Sequence, residues 1–465
     1  MNKMKLAFLL SISVVLGLVV VACGSTSTPE PVTVVETVVV EVEVTSVPDE
    51  AAPAEPAEPT EPAEQEAEQE PVELTFVNWI GAEEATADDM EAMLAAFEEK
   101  YPYIKVNSVT LPWGEMGNQL LVMALGGDAP DVSMVHTLWV GPLLEAGVLA
   151  PLNDILPNQD DYFPSTFQGK YVGDDLMYVT WAPSPIVLYY NYDLLEQAGY
   201  DGPPKTFDEM IQMAYDVAAL GDDIFGIPVH EGAAGNAGFY FLGNYMWNQG
   251  GQLFDENGNV AVNTPENVKA FTLAQQLAND KVTPDGLILR DFRDLFSQGK
   301  IGFHFDGEFG VGIIKNFSDG NMILNEDYGV TLVPGPDPET PGESFFIEHQ
   351  LAVYKDSEHK KEAALLIDFL TGPEGMAIYN EHGGTKLPAR KSTAEIDFYK
   401  AEENSFMNTF IEQLAVARPL PGENPQFKAM MVELAKAVQQ VTLVGDDPAT
   451  VLENLQRTLE ALQGQ

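Results

Sequence analysis

The chain has 465 residues, with 23 Lys+Arg against 72 Asp+Glu and a formal net charge of −49. A chain this acidic has no overall field that draws in nucleic acid or anionic lipid. Hydrophobic residues make up 45%, which excludes wholesale disorder, and the single cysteine, Cys23, excludes internal disulfides and a cysteine-based metal cluster.

Lys3 and Lys5 precede an uncharged, largely apolar run over 6–22 that ends in Val20-Val21-Ala22-Cys23-Gly24. A charged start, an apolar stretch and a small residue before the only cysteine fit an export signal better than a membrane span. Residues 24–71 hold 13 Asp+Glu and no Lys or Arg. The Pro/Ala/Glu tract over 53–71 has little to bury and its prolines interrupt helices, so it predicts an extended, self-repelling tether. Val32 to Val44 is Val-rich with Glu36, Glu41 and Glu43 interspersed; it reads as tether with acidic gatekeepers, and a strand pairing elsewhere stays open. Without the first 71 residues the chain carries 21 Lys+Arg against 59 Asp+Glu, a charge of −38.

The folded part opens with the alternation Glu73-Leu74-Thr75-Phe76-Val77-Asn78-Trp79, a strand pattern. Met90, Met93, Leu94 and Phe97 recur at helical spacing before Tyr101-Pro102. A second strand follows over 104–109, a short helix over 119–125 and a third strand over 131–135. This β-α-β-α-β order predicts a mostly parallel sheet covered by helices. Strand 186–190 comes next. Thr206-Phe207-Asp208-Glu209 reads as a capping box opening a helix through Leu220, and Thr264-Pro265 as an N-cap with Pro at the first helical position. Gly302, His304 and Asp306 alternate onto one strand face. A helix over 362–370 and a final one from Asp447-Pro448 complete the series. With no internal repeat and about 390 residues by this count, two lobes are expected, with ligand between them at strand ends.

No P-loop, nucleophile elbow or His-Glu-x-x-His stands in the chain. The glycine-rich 307–312 lacks the order of a dinucleotide site. His304 with Asp306 is weak metal spacing, and a packed, hydrogen-bonded histidine is the better reading. Neither a metal nor a cofactor is expected. The five tryptophans stand out instead: Trp79, Trp113, Trp139, Trp181 and Trp247 fall at element ends among Asn, Gln, His and carboxylates. Each alone is as well explained by core packing. Together they suit a polyhydroxylated ligand, because indoles cover the apolar face of a sugar ring and planar polar groups take its hydroxyls.

From Val72 to the C-terminus the chain resembles the extracellular solute-binding proteins of bacterial ABC importers, in the maltose-binding-like sugar group. The resemblance rests on an ordered series: Phe97-Glu98-Glu99-Lys100-Tyr101-Pro102, then Gly126-Gly127-Asp128-Ala129-Pro130-Asp131, Glu145-Ala146-Gly147-Val148-Leu149, Tyr189-Tyr190-Asn191-Tyr192-Asp193, Pro204-Lys205-Thr206-Phe207, Thr371-Gly372-Pro373-Glu374-Gly375 and Gly384-Thr385-Lys386-Leu387-Pro388. Val20 to Cys23 resembles the lipobox of bacterial lipoproteins, with Val20 where Leu is commoner. The resemblance implies a two-lobed α/β fold of the type II periplasmic-binding-protein kind, with strands crossing between lobes near Tyr178–Pro185, Thr331–Pro334 and Pro388–Ser392. The organisation it implies is a lipoprotein signal peptide over 1–22 and a tether over 23–71. Lobe 1 then takes 72–182 and 333–390, and lobe 2 takes 183–332 and 391–465.

By position, the resemblance puts ligand contacts at Asn78, Trp79, Trp113, His136, Thr137, Tyr245 and Trp247. The strand end Asp306-Gly307-Glu308-Phe309 has Phe309 where the family commonly has Trp, and two carboxylates besides. Glu348, His349 and Gln350 stand where glycines are common, and lobe packing and ligand contact explain them equally. Trp181 and Arg390 complete the candidates. The implied function is capture of a mono- or oligosaccharide by hinge closure, without chemistry, and delivery to the transmembrane subunits of an ABC permease. The mature protein is then an extracytoplasmic monomer, held to the membrane by lipid on Cys23. Two rivals stand beside it: a binder of a glycerol phosphodiester or other small anion, which needs Lys386 or Arg390, and a glycoside hydrolase using Asp306, Glu308 or Glu348.

Overall fold

In a computed structural model of the chain, the described residues are 70–83, 86–232, 235–381 and 385–464. The expected signal peptide, Cys23 and the tether as far as residue 69 lie outside them. The strands that position the site are β1 (Val72–Asn78), β2 (Ile104–Thr110), β3 (Val132–Val135), β4 (Val179–Pro185), β5 (Val187–Asn191), β6 (Phe303–Asp306), β7 (Tyr328–Thr331), β8 (Phe345–Val353) and β9 (Arg418–Pro419). The helices around them are α1 (Ala87–Lys100), α2 (Trp113–Gly126), α3 (Phe207–Ala218), α4 (Gly235–Phe241), α5 (Pro265–Asn279), α6 (Leu289–Ser297), α7 (Gly310–Phe317), α8 (Lys360–Thr371), α9 (Pro373–Glu381), α10 (Met407–Leu414), α11 (Phe427–Gln439) and α12 (Pro448–Gln463).

Two sheets carry the fold. The first has the order β9-β8-β3-β1-β2, with β4 also paired to β8. β1 runs parallel to β2 and β3, as the β-α-β-α-β pattern predicts. β8 is antiparallel to both β3 and β4, so this sheet is mixed. The second sheet, β6-β5-β7, is antiparallel throughout. The departure from a mostly parallel sheet has a simple cause. Strands that carry the chain out of one sheet and back must run in opposite senses. β4 leads into β5 through the single residue Ile186, whose N–H donates to Phe345 of β8, so the two sheets are joined at this point.

Local sequence signals account for the helix ends. Thr206 caps α3 by accepting from Glu209 N–H at 3.1 Å. The Glu209 carboxylate reaches Lys205 N–H rather than its own cap residue, so the capping box is displaced by one position. Thr264 caps α5 with Pro265 as its first residue, and Asp447 caps α12 in the same way. The short helix expected over 119–125 starts earlier, at Trp113, directly after Pro112. The C-terminal chain packs on both sheets: β9 pairs with β8, α10 packs on β4 and β5, and α11 packs on α4 and α12.

The α4–α11 contact depends on Gly238. A Cβ there would lie 2.1 Å from the Met431 carbonyl oxygen, and a backbone atom cannot yield as a side chain can. Gly238→Ala is expected to lower unfolding stability by about 1–3 kcal/mol through overpacking. Urea denaturation checks this, and an unchanged midpoint would show that the helices are free to move apart.

Candidate functional site

A cleft of about 390 Å³ is lined on one side by β8 and the strand ends of the first sheet, and on the other by the helices α4, α6 and α7. Larger depressions of about 520 and 700 Å³ lie on the outer faces near α3 and around Pro334. The smaller cleft is the one walled by indoles and by partnerless buried polar groups, which is the pattern of a ligand site.

One wall is aromatic. Asn78, the last residue of β1, accepts from Gly81 N–H at 2.8 Å and donates to Ser108 at 2.9 Å. It thereby fixes the turn that aims Trp79 into the cleft. Trp79 meets His349, Trp139 and His136 edge-to-face, with centroids 5.1, 5.8 and 6.4 Å apart. Trp113, at the start of α2, meets Trp139 and His136 at 5.2 and 5.5 Å and keeps 39% of its surface exposed. It is therefore the indole with a face left for a ligand. Gly117 makes room behind it, since a Cβ there would lie 2.7 Å from the Trp139 ring.

His136 Nδ1 accepts from Leu138 N–H at 3.1 Å, so in the neutral ring Nε2 carries the proton. Burial lowers its pKa to about 3. His349 is also pushed down by burial, and then by Lys386 and His136. Both rings are uncharged donors and acceptors at neutral pH.

The opposite wall is polar and comes from α4, α6 and α7. Arg293 on α6 donates Nε and Nη2 to the two carboxylate oxygens of Asp306 at 2.6 and 2.9 Å. Burial pushes the Asp306 carboxyl up, but Arg293 and then His304 outweigh it and hold the group well below the usual carboxylate range. Asp306 also accepts from Gly307 N–H at 2.9 Å. The glycine-rich turn after β6 exists for this packing: a Cβ at Gly310 would meet Asp306 and Tyr189 at 2.9 Å, and one at Gly307 would meet the Phe309 ring at 2.5 Å. Lys386 enters from the segment after α9, and Tyr240, whose buried hydroxyl lacks a partner, enters from α4. Glu83 faces them across the cleft. Burial raises the Glu83 pKa, and Lys386 opposes that rise.

Of the residues singled out in the sequence, Trp79, Trp113, His136, Phe309 and His349 line this cleft. The others do not, each for a visible reason. Thr137 is packed against Gly422. Trp181 is buried beneath the lining, beside Tyr379 and His349. Tyr245 donates to the Pro228 carbonyl at 2.7 Å within a core, and Trp247 lies under the Arg418 guanidinium. Asp306 and Glu308 are fully buried behind the wall, Glu308 accepting from Ser184 at 2.8 Å. Glu348 is paired to Lys170 at 2.5 Å. Arg390 is held by Asp161 and Asp368, each at 2.8 Å. Glu83, Arg293, Lys386, Tyr240 and Tyr379 line the cleft without having been proposed as contacts for a saccharide. Among the described residues no group of three or more His, Cys, Asp or Glu is placed to hold a metal ion, and no helix is long and apolar enough to cross a membrane.

The buried neutral histidine has a consequence for stability. Its folded pKa of about 3 lies below the ordinary 6.5. As pH falls below about 6.5 the unfolded chain takes up a proton that the native state refuses, and stability falls until about pH 3. At pH 5 the loss from His136 is up to about 2 kcal/mol. His136→Asn retains an acceptor for Leu138 N–H and removes the titration, so its urea midpoint is expected to drop less than wild type between pH 7.5 and 5. Equal drops would rule this histidine out as the source.

The sequence profile of the bacterial extracellular solute-binding protein family matches residues 82–377. A binding protein of Brucella abortus (strain 2308) is 26% identical over 382 residues, covering 81% of this chain and 90% of that protein. The galactooligosaccharide-binding protein of Bacillus subtilis (strain 168) is 24% identical over 384 residues, covering 78% and 84%. Among solved structures, maltose-bound MalE3 of T. maritima is similar with TM-score 0.70 and 25% identity, covering 84% of this chain and 100% of that one. The GacH receptor of Streptomyces glaucescens is similar with TM-score 0.73 and 21% identity, covering 85% and 100%, which bears on the fold alone. The two-sheet architecture, the cleft and the match over 82–377 together make this chain a member of the bacterial extracellular solute-binding protein family.

Proposed function

We propose that the protein captures a mono- or oligosaccharide in this cleft and delivers it, unaltered, to the transmembrane subunits of an ABC importer. The observation that carries this reading is the pairing of the Trp79–Trp113 wall with the polar wall of Arg293, Lys386 and Tyr240 across one cleft. Indoles cover the C–H face of a sugar ring, and fixed donors and acceptors take its hydroxyls. The galactooligosaccharide-binding relative and the maltose-bound neighbour support the same ligand class. The lobes are taken as 72–182 with 333–390, and 183–332 with 391–465. Ligand stabilises the closed arrangement by its higher affinity for it.

The rivals find less support. Arg390 already has two carboxylate partners, which leaves it unsuited to an anion, and Lys386, the other cation that reading needs, has the carboxyl groups of Glu308 and Glu83 as neighbours. Asp306, Glu308 and Glu348 are each engaged with protein partners behind the lining, whereas glycoside hydrolysis needs two carboxyls flanking the bond.

Calorimetry of the full chain in mild detergent, against glucose, galactose, mannose, arabinose, maltose and lactose, is expected to show binding of at least one sugar, recovered unchanged. Trp113→Ala is expected to weaken it by about 0.5–1.5 kcal/mol with little change in melting temperature, since that ring is 39% exposed. Heat from none of the sugars, or a hydrolysed product, would sink the reading. Attachment is proposed through lipid on Cys23 after removal of residues 1–22, with 23–71 as the tether. Expressed in a bacterial host, Cys23→Ser is expected to move the protein from the membrane to the soluble exported fraction. Retention in the membrane would point to an uncleaved helix instead.

A further inference from the structure

Phe309 stands where an indole platform is common, yet its ring is occupied. The Arg293 guanidinium carbon lies 5.3 Å from its centroid and the Lys386 Nζ 4.8 Å, both within cation–π range. Its edge rests on Gly307, where a Cβ would clash at 2.5 Å. With two cations against it, the ring has less face to give a sugar than a free platform has.

The two cations against it are held differently. Arg293 gives Nε and Nη2 to Asp306, so its orientation is fixed and Nη1 is left over among the described residues. Lys386 is fixed by its backbone: its N–H donates to Asn380 Oδ1 at 2.9 Å, and its carbonyl accepts from the Tyr399 hydroxyl. Its ammonium, by contrast, has one long contact, 3.5 Å to Glu308 Oε1, for three N–H donors. The other oxygen of Glu308 is buried without a partner. An ammonium lining a cleft with two further donors can give them to a ligand's hydroxyls.

We propose that Lys386 is the specificity-determining residue of this cleft, and that Phe309 is a spacer holding Lys386 and Arg293 toward the ligand's hydroxyl edge rather than a stacking platform. The ligand then lies with its C–H face on Trp113 and its hydroxyls on Lys386 Nζ and Arg293 Nη1. Lys386 distinguishes sugars that differ in the hydroxyl it meets. This rests on the saccharide reading.

The test compares wild type, Lys386→Met, Lys386→Arg and Phe309→Trp as full chains, by calorimetry against glucose, galactose, mannose, maltose and lactose. Met keeps the stem over Phe309 and removes the donors. The best sugar is expected to bind K386M roughly tenfold or more weakly, and the affinity ratio between that sugar and its epimer is expected to shrink by a similar factor. K386R is expected to restore part of the ratio. F309W is expected to weaken binding, because a larger ring displaces both cations. An unchanged epimer ratio in K386M, with all sugars weakened alike, would reduce Lys386 to a structural part. Tighter binding by F309W would make position 309 a platform. Either result overturns the inference while leaving the saccharide reading standing. Wild type that binds none of the sugars overturns both. If K386M does not fold, F309W and K386R decide the matter alone.

Discussion

The cleft depends on the antiparallel pairing of β4 with β8. Both belong to the first sheet, β4 leads directly into the second, and their register decides what faces the cleft. It shifts at one point: His349 lies opposite Ala182, but Gln350 lies opposite Thr180. Trp181 is thus the extra residue of a β-bulge, a device that re-aims side chains near sites. At the bulge His349 lines the cleft while Trp181 lies beneath it, packed on His349 and Tyr379. Glu348 and Gln350 turn to the other side. There Glu348 takes the Lys170 ammonium and the Thr180 hydroxyl and accepts from the Gln350 amide. A buried ion pair of this kind adds little net stability because both charges are desolvated, yet losing one partner costs several kcal/mol. Its effect here is geometric: a one-residue slip would turn the buried Glu348 to the other face, away from Lys170. The three adjacent residues, alike in the sequence, are sorted by which side of one strand each occupies: His349 lines the cleft, and Glu348 and Gln350 do not.

The two walls divide the work of recognition. The aromatic wall is built from element ends of the first sheet, and its members hold one another edge-to-face, which suits the ring quadrupoles. It offers area and little direction. The polar wall is built from α4, α6 and α7 around the second sheet, with Lys386 from the segment after α9, and its Arg293 is fixed by charge. Arg293 cannot turn without breaking two hydrogen bonds to a fully buried carboxylate. A neutral ligand in such a cleft meets donors whose positions are set beforehand, so little ordering remains to oppose binding.

Much of the scaffold was legible in the sequence because it rests on local rules. Periodicity located β1, α1, β2 and β3 to within about three residues, and Thr206, Thr264 and Asp447 announced their helices. The site was legible only in part. Trp79 and Trp113, picked out as indoles at element ends, do line the cleft. Tyr245 and Trp247 carried the same aromatic signal, but the helical turns after α4 roll them into a core with Phe241, Phe305 and Arg418. Arg293 gave no signal at all. Its partner lies thirteen residues on, in β6, and only the packing of α6 on that strand brings them together. Arg390 illustrates the reverse error: a cation in a matched motif looks available until Asp161, over two hundred residues earlier, is seen to hold it.

The acidity of the chain and the cations of its cleft are not in conflict, because they act at different ranges. Exposed carboxylates are screened within about 8 Å at physiological ionic strength, so the surface charge says little about a ligand already inside. Inside, the count is local. Arg293 and Lys386 are set against Glu83 at the lining, with Asp306 and Glu308 buried just behind. Two positive groups face three negative ones: Arg293 is closely paired with Asp306, and Lys386 has a longer contact with Glu308. The local count leaves no net positive charge to reward an anion. The charges have been arranged into strong, oriented hydrogen-bond donors and acceptors, stronger than neutral groups of the same shape, around a space with no net positive charge. That is the electrostatic description of a site for a neutral, hydroxyl-rich molecule, and it favours a plain sugar over a phosphodiester on grounds independent of any resemblance.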